Sequence, residues 1–176
     1  MLAMPGWRRS SHGVPATVRA ALRLAPSERV LAGAADNAGS WVVGTDRALH
    51  VPAAGDWRVL PWEEVDRAGW DEDSERLEVV EIADFGEPQP RHRLALRDPL
   101  RLLDLVRERV TASVLLTRNV PVAGSGGIKV VARRSPTRQG QVTWSTWLDE
   151  GLDPTDPGVR RAVDEGLAAA RAELGL

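Results

Sequence analysis

The chain has 176 residues, 43% of them hydrophobic and 27% charged, with a formal net charge of −2. This balance excludes an intrinsically disordered chain, which needs low hydrophobicity and high net charge. The absence of cysteine excludes disulfides, thiolate metal sites and a cysteine nucleophile, and three isolated histidines, His12, His50 and His92, argue against a histidine metal centre.

No apolar run approaches the ~18 residues of a membrane-spanning helix. Met1 to Arg9 carries its two arginines after its few apolar residues, the wrong order for a secretory signal. An intracellular, cytoplasmic protein is the expectation. Charge alternates along the chain, from +4 over residues 1–27 to −8 over 28–98, +6 over 99–148 and −4 over the rest. Blocks of opposite sign suggest regions that pair in space.

In chain order, Val18, Ala21 and Leu22 after Pro15 predict a short amphipathic helix that Pro26 ends. Seven short strands are then expected at 29–35, 40–44, 47–51, 57–61, 64–70, 76–82 and 91–97, separated by turn residues such as Asp36-Asn37 and Ala54-Gly55-Asp56. The sixth sorts its faces imperfectly, with Leu77, Val79 and Glu81 on one side and Glu78, Val80 and Ile82 on the other. A helix follows, with Asp98 as its cap, Pro99 at its first position and a core stripe of Leu100, Leu103, Val106 and Val110. Strands at 113–122, 128–134 and 141–148 predict an antiparallel meander. Asp156 and Pro157 open a last helix whose apolar face is Val159, Val163, Gly166, Leu167, Ala170 and Leu174.

Seven strands and a capping helix form the element order of the pleckstrin-homology-like split barrel. Trp41-Val42-Val43-Gly44-Thr45-Asp46-Arg47-Ala48-Leu49 resembles the Thr-Asp-Arg hairpin of bacterial members of that family. Arg58-Val59-Leu60-Pro61-Trp62-Glu63-Glu64-Val65 is similar to the segment in which they leave one strand for the next through a proline corner. The resemblance covers residues 28 to about 111, and the whole chain also resembles actinobacterial proteins of high-GC genomes. The expected class is therefore α+β: an N-terminal segment (1–27), a PH-like split β-barrel with capping helix (28–112), and a small meander packed on a C-terminal helix (113–176).

The resemblance implies binding of phosphoinositides, peptides or proteins, and fold alone does not choose among them. Phosphoinositide-binding members carry basic side chains between the first two strands. Here that loop is Ala35-Asp36-Asn37-Ala38-Gly39, which would repel inositol phosphates, so a phosphoinositide partner is not expected.

The densest set of binding-type residues is Arg118, Lys129, Arg133, Arg134 and Arg138 on the meander, with Trp144 and Trp147 on its last strand. Cations beside aromatic rings grip phosphates and stack bases. The two tryptophans are three apart and therefore face opposite sides of a regular strand, as do Arg133 and Arg134. The simpler reading makes one tryptophan core under the last helix and leaves the arginines on a solvated face. Gly124-Ser125-Gly126-Gly127 opens a strand rather than a helix, so it reads as a hairpin loop and not a phosphate loop.

Asp46 and His50, four apart across a turn, are the one acid–base pair of interest for an enzyme. Asp71-Glu72-Asp73 with Glu75 lacks the spacing of a calcium loop and reads as a solvated turn. Trp57, Trp62 and Trp70 read as core or rim. No cofactor or metal is implied. The leading expectation is a non-enzymatic binding or adaptor protein with a protein partner. The alternatives are a nucleic-acid-associated protein using the basic meander, and an enzyme with a site near Asp46 and His50.

Overall fold

Turn residues set the strand limits. The computed structural model describes residues 13–122, 126–137 and 140–176. It is α+β, with three antiparallel sheets and no closed barrel among the described residues. Strands β1 (Val30–Ala35), β2 (Trp41–Thr45), β3 (Ala48–Ala53) and β4 (Asp56–Pro61) form the first sheet in the order β1-β2-β3-β4. A single 3-10 turn, Trp62–Glu64, leads into β5 (Val65–Asp71), β6 (Arg76–Glu81) and β7 (Arg91–Ala95), which pair in that order.

The hairpin between β2 and β3 shows why its turn is Thr-Asp-Arg. Thr45 Oγ1 accepts the N–H groups of Arg47 and Ala48, and Asp46 Oδ1 accepts the N–H of Arg29 at 2.8 Å. Both turn side chains thus satisfy backbone donors that would otherwise be unpaired. Trp62 is fully buried beside this turn and donates its indole N–H to Thr45 O at 3.0 Å. Around it pack Val42, Leu49, Leu60, Val65, Leu77 and Val79.

Helix α2 (Leu100–Ser113) covers this core with Leu102, Leu105 and Val106, which corrects the expected stripe. Leu100 is 76% exposed, while Leu103 and Val110 are only partly buried. Leucine is so frequent here that two overlapping ladders exist, and the approach to β2 selects one of them. A Cβ on Gly44 would lie 2.6 Å from Leu105 Cδ2 and 3.3 Å from Leu102 Cδ1, so the strand meets the helix through a residue without a side chain. The expected Asp98 cap is absent. Asp98 sits at φ 45°, Pro99 occupies the cap position, and no side chain bonds the helix start.

Helix α1 (Ala16–Ala21) ends before Pro26, because Leu22 is already extended. Val14 and Leu22 flank it and are buried with Val43, against Trp41 and Trp57. Residues 14–24 thus pack on the face of the first sheet that carries Val43, opposite the Val42 face.

Beyond α2 lie β8 (Val114–Pro121), β9 (Gly127–Arg133) and β10 (Thr143–Leu148), in the sheet order β10-β9-β8, and helix α3 (Pro157–Leu174). Gly124 and Ser125 of the predicted loop fall outside the described residues. Asp156 caps α3 as expected, its Oδ1 accepting the N–H groups of Gly158 at 2.7 Å and Val159 at 3.1 Å. Gly175, at φ 70°, closes the other end in the left-handed conformation. Val159, Val163 and Ala170 of α3 are buried against Ile128 and Val130. Gly166 allows that contact, since a Cβ there would lie 2.8 Å from Val120 Cγ2.

No helix among the described residues is long and apolar enough to cross a membrane.

Candidate functional site

The register of the meander divides the candidate residues between its two faces. Trp144 lies opposite Ala132, and Trp147 lies opposite Lys129. Leu116, Val120, Ile128, Val130, Trp144 and Leu148 face α3, and Arg118 pairs with Glu173 of that helix at 3.0 Å. The alternation of strand side chains separates the two tryptophans as expected.

On the other face Lys129 is exposed, but Arg133 is not. Arg133 is 6% exposed. Its guanidinium donates to Asp66 O at 2.6 Å, Ser113 Oγ at 2.9 Å and Val110 O at 3.1 Å. This corrects the expectation of a solvated arginine. Arg133 joins the meander to the end of α2 and the start of β5, and burial pulls its pKa below the ordinary arginine value, with Asp66 opposing that shift. Trp147 reaches the same residue, donating its indole N–H to Asp66 Oδ1 at 3.0 Å, while Gln89 donates to Asp66 Oδ2 at 2.8 Å. The Trp147 ring is already engaged by cations, with Arg67 at 4.7 Å and Lys129 at 5.1 Å from its centroid.

Arg134 and Trp144 remain beside a groove at the C-terminal end of α3. The groove has a volume of about 690 Å³, and Arg171, which sequence reasoning did not single out, shares its wall. Arg171 lies 5.6 Å from the Trp144 ring centroid. Its signal in the sequence is its position four residues after Leu167 and three before Leu174, at the margin of the helix's apolar stripe. Arg138 lies outside the described residues.

Asp46 and His50 do not form a pair. His50 is 1% exposed and its Nε2 meets Glu28 Oε1 at 3.2 Å, and Glu28 also accepts from Thr45 Oγ1 at 2.6 Å. Asp46 serves the backbone of Arg29 instead. Burial would raise the Glu28 carboxyl, but bonds from Thr45, Ala25 and His50 hold it below the ordinary value. On the second sheet, burial likewise opposes Glu81, and the paired bonds from Arg58, at 2.8 and 2.6 Å, together with His92 hold it low. Both clusters bind sheet elements together.

Asp71 accepts the N–H groups of Asp73 and Ser74 in a turn, as expected of a solvated loop. No group of three or more acids and histidines among the described residues is arranged to hold a metal ion.

A second apolar groove, of about 350 Å³, runs between β5 and α2 and is lined by Trp70, Leu77, Leu100, Leu103 and Val106, with Glu72, Asp104 and Arg107 at its margins. Strand β5 is the edge of its sheet. Among the described residues, no backbone hydrogen bond from outside the sheet reaches residues 67–71. Sequence reasoning missed this site because its parts are 30 residues apart and neither strand edge nor exposed leucine is marked in a motif. No protein family, curated protein or solved structure matches this chain.

Proposed function

We propose that this chain is a non-enzymatic adaptor built on a pleckstrin-homology-like split barrel, which takes up an extended segment of a partner protein along β5 and α2. The barrel reading is supported by a four-stranded and a three-stranded antiparallel sheet followed by a helix packed on both.

One observation carries the binding reading: an unpaired strand edge lies beside an apolar groove whose rim residue, Leu100, is 76% exposed. An open edge offers backbone N–H and C=O groups to an incoming strand, and an adjoining apolar groove receives alternate side chains. Soluble chains usually blunt such an edge with charge or a bulge. In β5 these lie at the two ends, with a register shift between Val65 and Arg67 and a charge at Asp71, while Ala68, Gly69 and Trp70 between them carry neither.

Selection from a random peptide library tests the reading. Expected are peptides with alternating apolar residues that protect the amides of residues 67–71 from exchange and lose at least tenfold in affinity with Leu100→Asp. Leu100 is exposed, so that substitution leaves the fold intact. Recovery of no such peptides, or of peptides indifferent to Leu100→Asp, would overturn it.

A further inference from the structure

We propose a second, separate ligand site: the groove between the end of α3, Arg134 and residues 140–142 binds an amphipathic organic anion, with its charged head on Arg134 and Arg171. This inference does not depend on the β5 reading, because it concerns another part of the molecule and another ligand class.

The volume of about 690 Å³ falls within the range of small-molecule sites, roughly 300–1,000 Å³. Leu115, Val142, Trp144, Leu174 and Leu176 supply an apolar wall, and among the described residues no Asp or Glu side chain lines the groove. Leu115 is left partly uncovered on it. Both arginines are chemically unspent. Among the described residues, neither Arg134 nor Arg171 makes an ion pair, and neither guanidinium donates a hydrogen bond. Their neighbour Arg118 differs, being neutralised by Glu173.

The Trp144 ring positions Arg171 without consuming its donors. A guanidinium over an indole face is held by the ring quadrupole, which leaves its N–H fork free to take a carboxylate in paired hydrogen bonds. Because Arg171 occupies that face, the indole is not an open stacking platform for a base. The groove therefore favours an anion with an aliphatic body over a nucleotide.

Decanoate is a suitable probe, with decanol as its neutral counterpart and decyl phosphate as the alternative head group. Titrated into the full chain and followed by amide and indole resonances, decanoate is expected to shift Trp144 Nε1–H and residues 140–142 and 171–174 saturably. Decanol is expected to bind at least tenfold more weakly. Arg134→Gln and Arg171→Gln should each weaken decanoate at least fivefold with the fold retained in the amide spectrum, because among the described residues neither guanidinium makes an ion pair or a hydrogen bond. Arg161→Gln removes the same charge from an exposed position of α3 outside the groove and should have no effect. Tighter binding of decyl phosphate than decanoate, with the same variants affected, would support the site and identify the head group as phosphate.

No saturable shift at Trp144, equal binding of decanol, or an Arg161→Gln loss as large as that of Arg171→Gln would overturn the proposal. Shifts confined to Trp70 and its neighbours would overturn it while leaving the β5 reading standing.

Discussion

The two sheet-and-helix regions of this molecule are closed in different ways. In the first, α2 has no side-chain cap and packs three buried residues of its own onto ten others in a shared core among the described residues. In the second, α3 is capped at both ends but packs its three fully buried hydrophobic residues onto only two others, Ile128 and Val130, among the described residues. The first helix is thus held by tertiary packing and the second largely by its own ends. A three-stranded sheet under one helix also leaves its second face open. Here that face is closed by polar bonds from Arg133 and Trp147 to Asp66, together with the burial of Val131.

The largest expected effect breaks that polar closure. Arg133→Ala removes a donor from the buried Asp66 carbonyl, the part-buried Val110 carbonyl and the Ser113 hydroxyl, and should cost about 3 kcal/mol in denaturant unfolding. It should also separate the single transition into two, with the meander melting first. Arg134→Ala, one residue on, should cost under about 0.5 kcal/mol, because its side chain bonds nothing among the described residues. Equal losses for the two variants would show that Arg133 is not what joins the regions.

The arginine pair also marks how far local pattern reaches. Strand alternation places Arg133 and Arg134 on opposite faces, but only Asp66, 67 residues earlier, decides which face is covered. The same limit explains α2: the sequence permits the Leu100 ladder and the Leu102 ladder, and contact with Gly44 of β2 chooses the second. What local chemistry determines was legible. The seven strands fall where the turn residues end them, and the Asp156–Pro157 start of α3 follows from capping alone. Asp98–Pro99 has the same letters but fails, because Asp98 turns left-handed on the way out of β7. The groove residues Arg134 and Trp144 were visible only as two members of the basic and aromatic set on the meander. Arg171 was not, since only the packing of α3 on the meander brings it to them.

A smaller effect sharpens the comparison at the two glycines. Gly44→Ala directs a methyl group at the tips of Leu105 and Leu102, which can rotate, and should cost under about 1 kcal/mol. Gly166→Ala meets Val120 and Val130, whose β-branched side chains have little rotamer freedom. Overpacking of roughly 1–3 kcal/mol is offset there by about 1 kcal/mol of helix propensity. Gly166→Ala should therefore be the worse of the two by about 1 kcal/mol, read from midpoints at equal denaturant slope. The reverse order would make the first core the more rigid one.

The smallest effect concerns acid. Glu28 and Glu81 are each pushed up by burial, yet their hydrogen-bonded partners prevail and hold them below the ordinary glutamate value of 4.5. Carboxyls lowered by folding contribute stability that is complete above that value and is lost as pH falls through their folded pKa. Glu64 runs the other way. Burial, with Glu63 and Glu81 nearby, raises it, so its contribution is present in acid and is lost as pH rises through its folded pKa. Acidification from neutrality should thus give a slight gain as Glu64 protonates, then a loss below about pH 4.5 of order 1 kcal/mol as Glu81 and Glu28 follow. All three groups belong to the seven-stranded region. Among the described residues of the meander region, the carboxyl that is lowered is Asp153, which is exposed. Amide exchange at pH 3 should therefore show β2 and β6 losing protection before β8 and β9. Simultaneous loss in both regions would mean that the Asp66 junction transmits the acid response, so that polar closure couples what separate cores would keep independent.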